Sequence, residues 1–224
     1  MWSRLNSFQR LVGVDLGSQM TRIWTSQDGV VVDEPSCLAV DVKNKKVVAV
    51  GQEAAEMQGR VKASVQVHWP IIQGKVSDLQ LTKAMLQLLL QKVFKFNLLS
   101  PIMMVSVPAN STKLMRQTVR KLFLSLGAKE VYLITQPLAA AIGTGVPIAD
   151  ASGCFLVQLG AGLVEGAIIS LGSLVAAQTS KKAGQQLDKL ISLKLKQQHQ
   201  LQLSLSMAEH LKQAIGSLDL QTNH

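Results

Sequence analysis

The chain has 224 residues, 47% of them hydrophobic and 17% charged, with a formal net charge of +9. This composition excludes a disordered chain, and the length suits one large domain or two small ones. The charge favours anionic partners such as phosphates, acidic lipid or nucleic acid, but aromatics at 4% argue against a stacking platform for single strands.

No apolar run approaches the roughly 20 residues of a membrane span, and no signal-peptide pattern is read at the start. Cys37 and Cys154 lie in no CxxC pattern and read as buried reduced thiols, which disfavours a metal site.

In chain order, "RLVGVDLG" and "MTRIWTS" read as two strands around a turn at Gly17. "CLAVDV" and "KVVAVGQ" form a hairpin with its turn at 43–45. Residues 79–96 are long and mostly apolar and predict a buried helix. The run 102–108 predicts a strand stopped by Pro108, of the kind found in a sheet covered on both faces.

Residues 113–126 are amphipathic. Met115, Val119, Leu122, Phe123 and Leu126 share one helical face, and Lys113, Arg116, Arg120 and Lys121 share the other. A strand at 130–135 follows, then Pro137 opens a helix. Two or three strands with a glycine-rich turn fill 153–178, and two helices lie near 183–197 and 206–216. The alternation of strands and helices predicts an α/β fold.

"VDLGSQMTRIW" and "VQLGAGLVEGAII" share one layout: strand, x-L-G, small residues, strand. Two such units facing each other can clamp a phosphate chain with backbone N–H groups. Glycine suits that approach because a side chain would block it. Each turn taken alone is also what any tight hairpin needs.

Several stretches carry a specific resemblance: 33–60, "GKVSDLQLTKAML", "VSVPANST", 127–148, "GLVEGAIISLG", "KKAGQQLD" and "AEHLKQAIGS". Together they resemble the MreB family of bacterial actin homologues across nearly the whole chain. Chaperone-like or sugar-kinase relatives of the same superfamily fit 33–60 less well. The resemblance implies an actin-like (ribonuclease H-like) α/β fold with an ATP·Mg²⁺ cleft between two lobes.

The family's chain continues past the position of His224. The resemblance therefore implies a complete first lobe over 11–150, including its small subdomain, and a partial second lobe over 151–224. A truncated product and a reduced relative both remain open.

By the same resemblance, Asp15 orients Mg²⁺ through water, and Gly17, Ser18, Gln19 and Met20 form the first phosphate turn. The second turn is Gln158, Gly160, Ala161, Gly162 and Leu163. Gln158 replaces the family's aspartate and Leu163 its threonine, which removes a charge for a hard cation and a hydroxyl donor. Gln136, before Pro137, matches the family's water-positioning glutamate; it can orient water but is no base.

Glu209, His210, Leu211 and Lys212 match an adenosine-side Glu-x-x-Lys motif. The same stretch also reads as a capping box, with Ser206 as cap and Glu209 as its acid. Asp188 matches a family acid and equally reads as a solvated helix-start carboxylate.

At the N-terminus, Trp2, Leu5 and Phe8 recur beside Arg4 and Arg10. Residues 1–10 are a candidate amphipathic membrane segment, or a tail packed on the body.

The resemblance implies an ATP-binding, filament-forming cytoskeletal protein that maintains rod shape and guides cell-wall synthesis. Its implied partners are further copies of itself, the inner face of the cytoplasmic membrane and the wall-elongation machinery, with no nucleic acid. It is implied to be cytoplasmic and membrane-associated. The alternative is a nucleotide-degenerate or truncated scaffold without turnover, and ATP hydrolysis stays open between the two.

Overall fold

The computed structural model describes residues 10–61, 64–94 and 100–217. Its largest sheet takes five strands: β1 (Leu11–Leu16), β2 (Met20–Thr25), β3 (Gly29–Pro35), β9 (Ile102–Val107) and β10 (Glu130–Thr135). They lie in the order β10-β9-β1-β2-β3. β1, β9 and β10 run parallel, and the β1–β2–β3 meander is antiparallel. The meander ends on Pro35, tolerated because β3 is the edge strand.

Alternation decides which face of this sheet is buried. Val12, Val14, Leu16, Ile23, Met103, Val105 and Val131 point to one side. There they meet helix α2 (Leu79–Val93) through Met85, Leu86, Leu89 and Leu90, and α3 (Lys113–Ser125) through Val119, Leu122 and Phe123. Asp78 caps α2 by accepting from Leu81 N–H at 2.9 Å, and Thr112 caps α3 from Met115 N–H at 3.2 Å.

α3 keeps the apolar face read from its sequence. α2 ends at Val93 rather than at 96, with Phe94 N–H closing on Leu90 O at 2.9 Å. The expectation of a sheet covered on both faces does not hold for β9. Its residues alternate, and Met104 is 49% exposed beside Trp24 at 45% and Tyr132 at 52%. An apolar run with no polar alternation reads the same whether one face is covered or two.

A smaller sheet orders β5 (Lys46–Val50), β4 (Leu38–Asp41) and β6 (Val65–His68), covered by α1 (Gln52–Met57). Its core is Cys37, Ala39, Ala49 and Ala54. The expected hairpin is present, and Asp41 organises its turn by accepting from Lys43 N–H, Asn44 N–H and Asn44 Nδ2. A short hairpin, β7 (Ile71–Ile72) and β8 (Lys75–Val76), follows.

Helix α4 (Gln136–Gly143) then leads into the second lobe. That lobe has the antiparallel sheet β11 (Cys154–Leu159), β12 (Val164–Ser170) and β13 (Ser173–Ser180), then α5 (Gly184–His199) and α6 (Leu205–Ile215). Among the described residues no helix is long and apolar enough to cross a membrane.

Cys154 departs from expectation: it is partly exposed at the start of β11, whereas Cys37 is buried. Burial pushes the Cys37 thiol up to about 12, and the nearby Glu34 carboxylate adds to the rise. With a maleimide at neutral pH, Cys154 should be labelled in the native chain and Cys37 only on unfolding in urea. Mass spectrometry of the labelled peptides checks this.

Candidate functional site

Two hairpin turns of the same construction face each other. In the first, Gly17 N–H donates to Met20 O at 3.0 Å; in the second, Gly160 N–H donates to Leu163 O at 2.9 Å. A Cβ on either glycine would sit 2.6 or 2.7 Å from the same carbonyl oxygen that its N–H engages. Both glycines are thus required by their own hairpins, whatever lies in front of them.

Gly162 answers to a different neighbour. A Cβ there would meet Ser18 Oγ at 2.5 Å and Gln73 Cα at 3.0 Å, so the second turn packs directly on the first. Ser18 is buried, and its hydroxyl accepts from Gly74 N–H at 2.8 Å. Gly74 has φ +71, and a Cβ on it would strike Leu163 Cδ1 at 2.8 Å and Pro108 Cγ at 2.7 Å. Leu163, read as a lost donor, is the apolar plug of this junction.

Between the turns lies a cleft of ≈ 390 Å³, within the range of small-molecule sites. It is lined by Asp15, Gly17, Ser18, Gln19, Met20, Gln136, Gln158, Gly160, Ala161, Gly162, Leu163 and Glu209. The structure therefore brings together every residue proposed for the two turns, the hinge glutamine and the adenosine-side glutamate. His210, Leu211 and Lys212 do not line it.

Ser106 Oγ donates to Asp15 Oδ1 at 2.8 Å. Arg22, the cross-strand partner of Asp15, reaches Asp33 at 3.0 Å and Asp15 at 3.9 Å. Gln136 opens α4, with Pro137 in the first turn where its missing N–H costs nothing.

Gln19 spans the cleft. Its Nε2 donates to Glu209 Oε2 on α6 at 3.2 Å, and its Oε1 accepts from Gln185 Nε2 on α5 at 3.2 Å. Glu209 is available for this because α6 begins earlier than its sequence suggested. The cap is Ser204, accepting from Met207 N–H at 3.2 Å, so the capping box built on Ser206 does not form.

The reading of Asp188 as a solvated helix-start carboxylate does not hold. Asp188 is buried and pairs with Lys212 at 2.7 Å, joining α5 to α6.

Leu159, within the second turn, lines the cleft too, and outside the turns and hinge sequence reading missed four lining residues: Arg22, Gly74, Glu165 and Gln213. Two were recoverable. In a hairpin closed by residues 17 and 20, Asp15 must face Arg22; in one closed by 160 and 163, Gln158 must face Glu165. Glu165 is 1% exposed, its Oε1 accepts from Ala109 N–H at 2.8 Å, and burial pushes its carboxyl above the usual range against that bond.

Two strand–turn–strand units closing on one cleft between two α/β lobes define an actin-like protein with a candidate phosphate site. The family model described as MreB/Mbl protein matches residues 9–224, and the chain belongs to that family. It is 34% identical over 220 residues to the cell shape-determining protein MreB of Haemophilus influenzae, covering 96% of this chain and 63% of that one.

The cell shape-determining protein Mbl of Bacillus subtilis is 33% identical over 218 residues, with 97% and 66% covered. The crystal structure of MreB5 of Spiroplasma citri bound to ADP superposes with a TM-score of 0.91 at 26% identity, covering 96% of this chain and 65% of that one. The chain thus spans a little under two thirds of the length of the first of these relatives.

The ion pair between α5 and α6 gives a direct test of what Lys212 does. Lys212→Met leaves the buried Asp188 without its cation and should cost about 1–3 kcal/mol. Urea unfolding without nucleotide measures it, and the loss should shrink when Asp188→Asn is already present.

Proposed function

We propose that the cleft binds ATP with a divalent cation, and that the chain is an actin-like cytoskeletal protein whose filaments maintain rod shape and guide cell-wall synthesis. The observation that carries this reading is the matched pair of hairpin turns meeting across a cleft that also holds Asp15 and Gln136.

The donor set fits the group. The described lining carries the carboxylates of Asp15, Glu165 and Glu209 against the guanidinium of Arg22. A polyphosphate enters such a lining more readily with a divalent cation, which supplies positive charge and takes oxygen ligands. Asp15 would hold that cation through water, and the backbone of 17–20 and 160–163 would border the phosphates. Gln136 can orient a water by hydrogen bonds without taking its proton, so turnover is slow relative to binding.

One observation favours the scaffold reading instead. Gln19 already ties the first turn to α5 and α6, so the lobes are bridged by protein alone. A chain that keeps this bridge keeps its filament-forming shape without nucleotide.

Membrane association rests on Trp2, Leu5 and Phe8, which lie outside the described residues. The wall-elongation machinery as partner rests on the resemblance.

Isothermal titration of ATP into the purified chain decides between the readings. Binding that needs Mg²⁺ and weakens about tenfold or more in Asp15→Ala, with filaments pelleting more in ATP than without it, is the outcome expected of a nucleotide-dependent polymer. No heat from a folded chain, with pelleting indifferent to nucleotide, leaves the scaffold. Removing residues 1–9 should abolish co-sedimentation with vesicles containing anionic lipid while filaments still pellet.

A further inference from the structure

Strand β11 lies at the edge of the second-lobe sheet, and among the described residues no strand pairs with its outer side. The hairpin fixes which backbone groups face that side. Gly160 donates its N–H to Leu163 O across the hairpin, and this direction alternates along a strand. Phe155, Val157 and Leu159 therefore turn their N–H and C=O groups outward. Among the described residues no turn, loop or cap bonds to these groups.

The same three residues carry apolar side chains that are 71%, 50% and 78% exposed. They alternate along the strand and so share one face. An edge of this kind templates pairing with another strand, and proteins ordinarily blunt it with charge, proline or a bulge. β11 reads CFLVQL, with no charge, no proline and an unbroken register against β12. The first-lobe edge β3 carries Asp33, Glu34 and Pro35 instead. The far edge of the second-lobe sheet, β13, is tied to the first lobe by Asn110 Nδ2 donating to Thr179 Oγ1 at 2.7 Å, and Lys181 and Lys182 follow it.

The first lobe shows what such an edge accepts. β1 holds the place of β11 in its own strand–turn–strand unit, and there β9 pairs with it on this side from Leu11 to Val14. A helix or a lipid surface would leave the outward N–H and C=O groups unmet.

We propose that β11 is a dimerisation edge that pairs antiparallel with the β11 strand of a second copy of this chain. A two-fold axis at Val157 sets that residue against itself and Phe155 against the partner's Leu159, on one continuous apolar face. No other antiparallel register pairs all three exposed residues with one another. Two copies of a chain with net charge +9 repel, and this strand brings no like charges together. The contact is isologous and closes at two copies. It is therefore separate from filament growth and does not rest on nucleotide binding.

Sedimentation velocity of the whole chain without nucleotide is the first readout. Dimers are expected, and Val157→Lys, which opposes two ammonium groups at the axis, should weaken dimerisation about tenfold or more. Oxidation is the second readout, in a Cys154→Ser background where Cys37 stays buried. Val157→Cys should link to its own copy as a disulfide dimer, because the opposed Cα atoms lie about 5.5 Å apart. Phe155→Cys should not, since the register offsets its two copies by about 14 Å along the strand. The disulfide readout decides where Val157→Lys fails to fold.

A parent chain still monomeric at about 0.1 mM overturns the proposal, as do dimers indifferent to a folded Val157→Lys. A disulfide dimer formed as readily by Phe155→Cys as by Val157→Cys overturns it as well, because it reports chance collision rather than a register.

Discussion

The contact between the two glycine turns is the constraint on which the site depends. Each turn closes on itself through a glycine N–H and the carbonyl three residues on. That closure leaves the next residues free to project, and Gly162 then lets the second turn settle onto Ser18 with no Cβ between them. Ser18 in turn holds the β7–β8 hairpin through Gly74, and Leu163 fills the space that remains. Three separate parts of the chain are thus fixed relative to one another by backbone proximity rather than by a large apolar interface. The position of Asp15, Gln158 and Glu165 around one volume follows from this junction.

Above that floor the cleft is governed by polar side chains. Gln19 donates to one helix and accepts from another, and an ion pair joins those two helices behind it. The bonds are individually modest in a partly wet setting. Their value is geometric: they set the distance between the first turn and α6, and so the width available to a ligand. Acid and base are also sorted by register, with Arg22 placed beside Asp15 because β1 and β2 pair as they do.

The sequence was most legible where local pattern and local chemistry agree. The two turns, the amphipathic helix at 113–125 and the strand before Pro108 carry their own signals of glycine spacing, period and proline. The family motif then placed Gln136 and Glu209 at the same cleft, which no local pattern could do. Other features were hidden because they depend on distant neighbours. β9 reads as uniformly apolar, and only the packing of α2 and α3 on one side decides which residues are covered. The start of α6 was misplaced because Ser204 and Ser206 offer equal caps in sequence. Leu163 reads as a missing hydroxyl, and its use as a plug appears only when Gly74 is beside it.

The bridge through Gln19 has a consequence for how the molecule assembles. Gln19 is separated by 166 residues from Gln185 and by 190 from Glu209. The hairpins themselves close over a few residues, and in the first lobe's sheet the longest reach is the β1–β9 pairing, 91 residues from Leu11 to Ile102. Bringing together ends so far apart carries a loop-closure cost that only later contacts can offset. The Gln19 bonds span the widest separations, so they are expected to form after the hairpins and sheets that position them. By the same accounting these polar bonds are the part of the seam that opens at the least cost, ahead of the junction that Leu163 plugs beneath them.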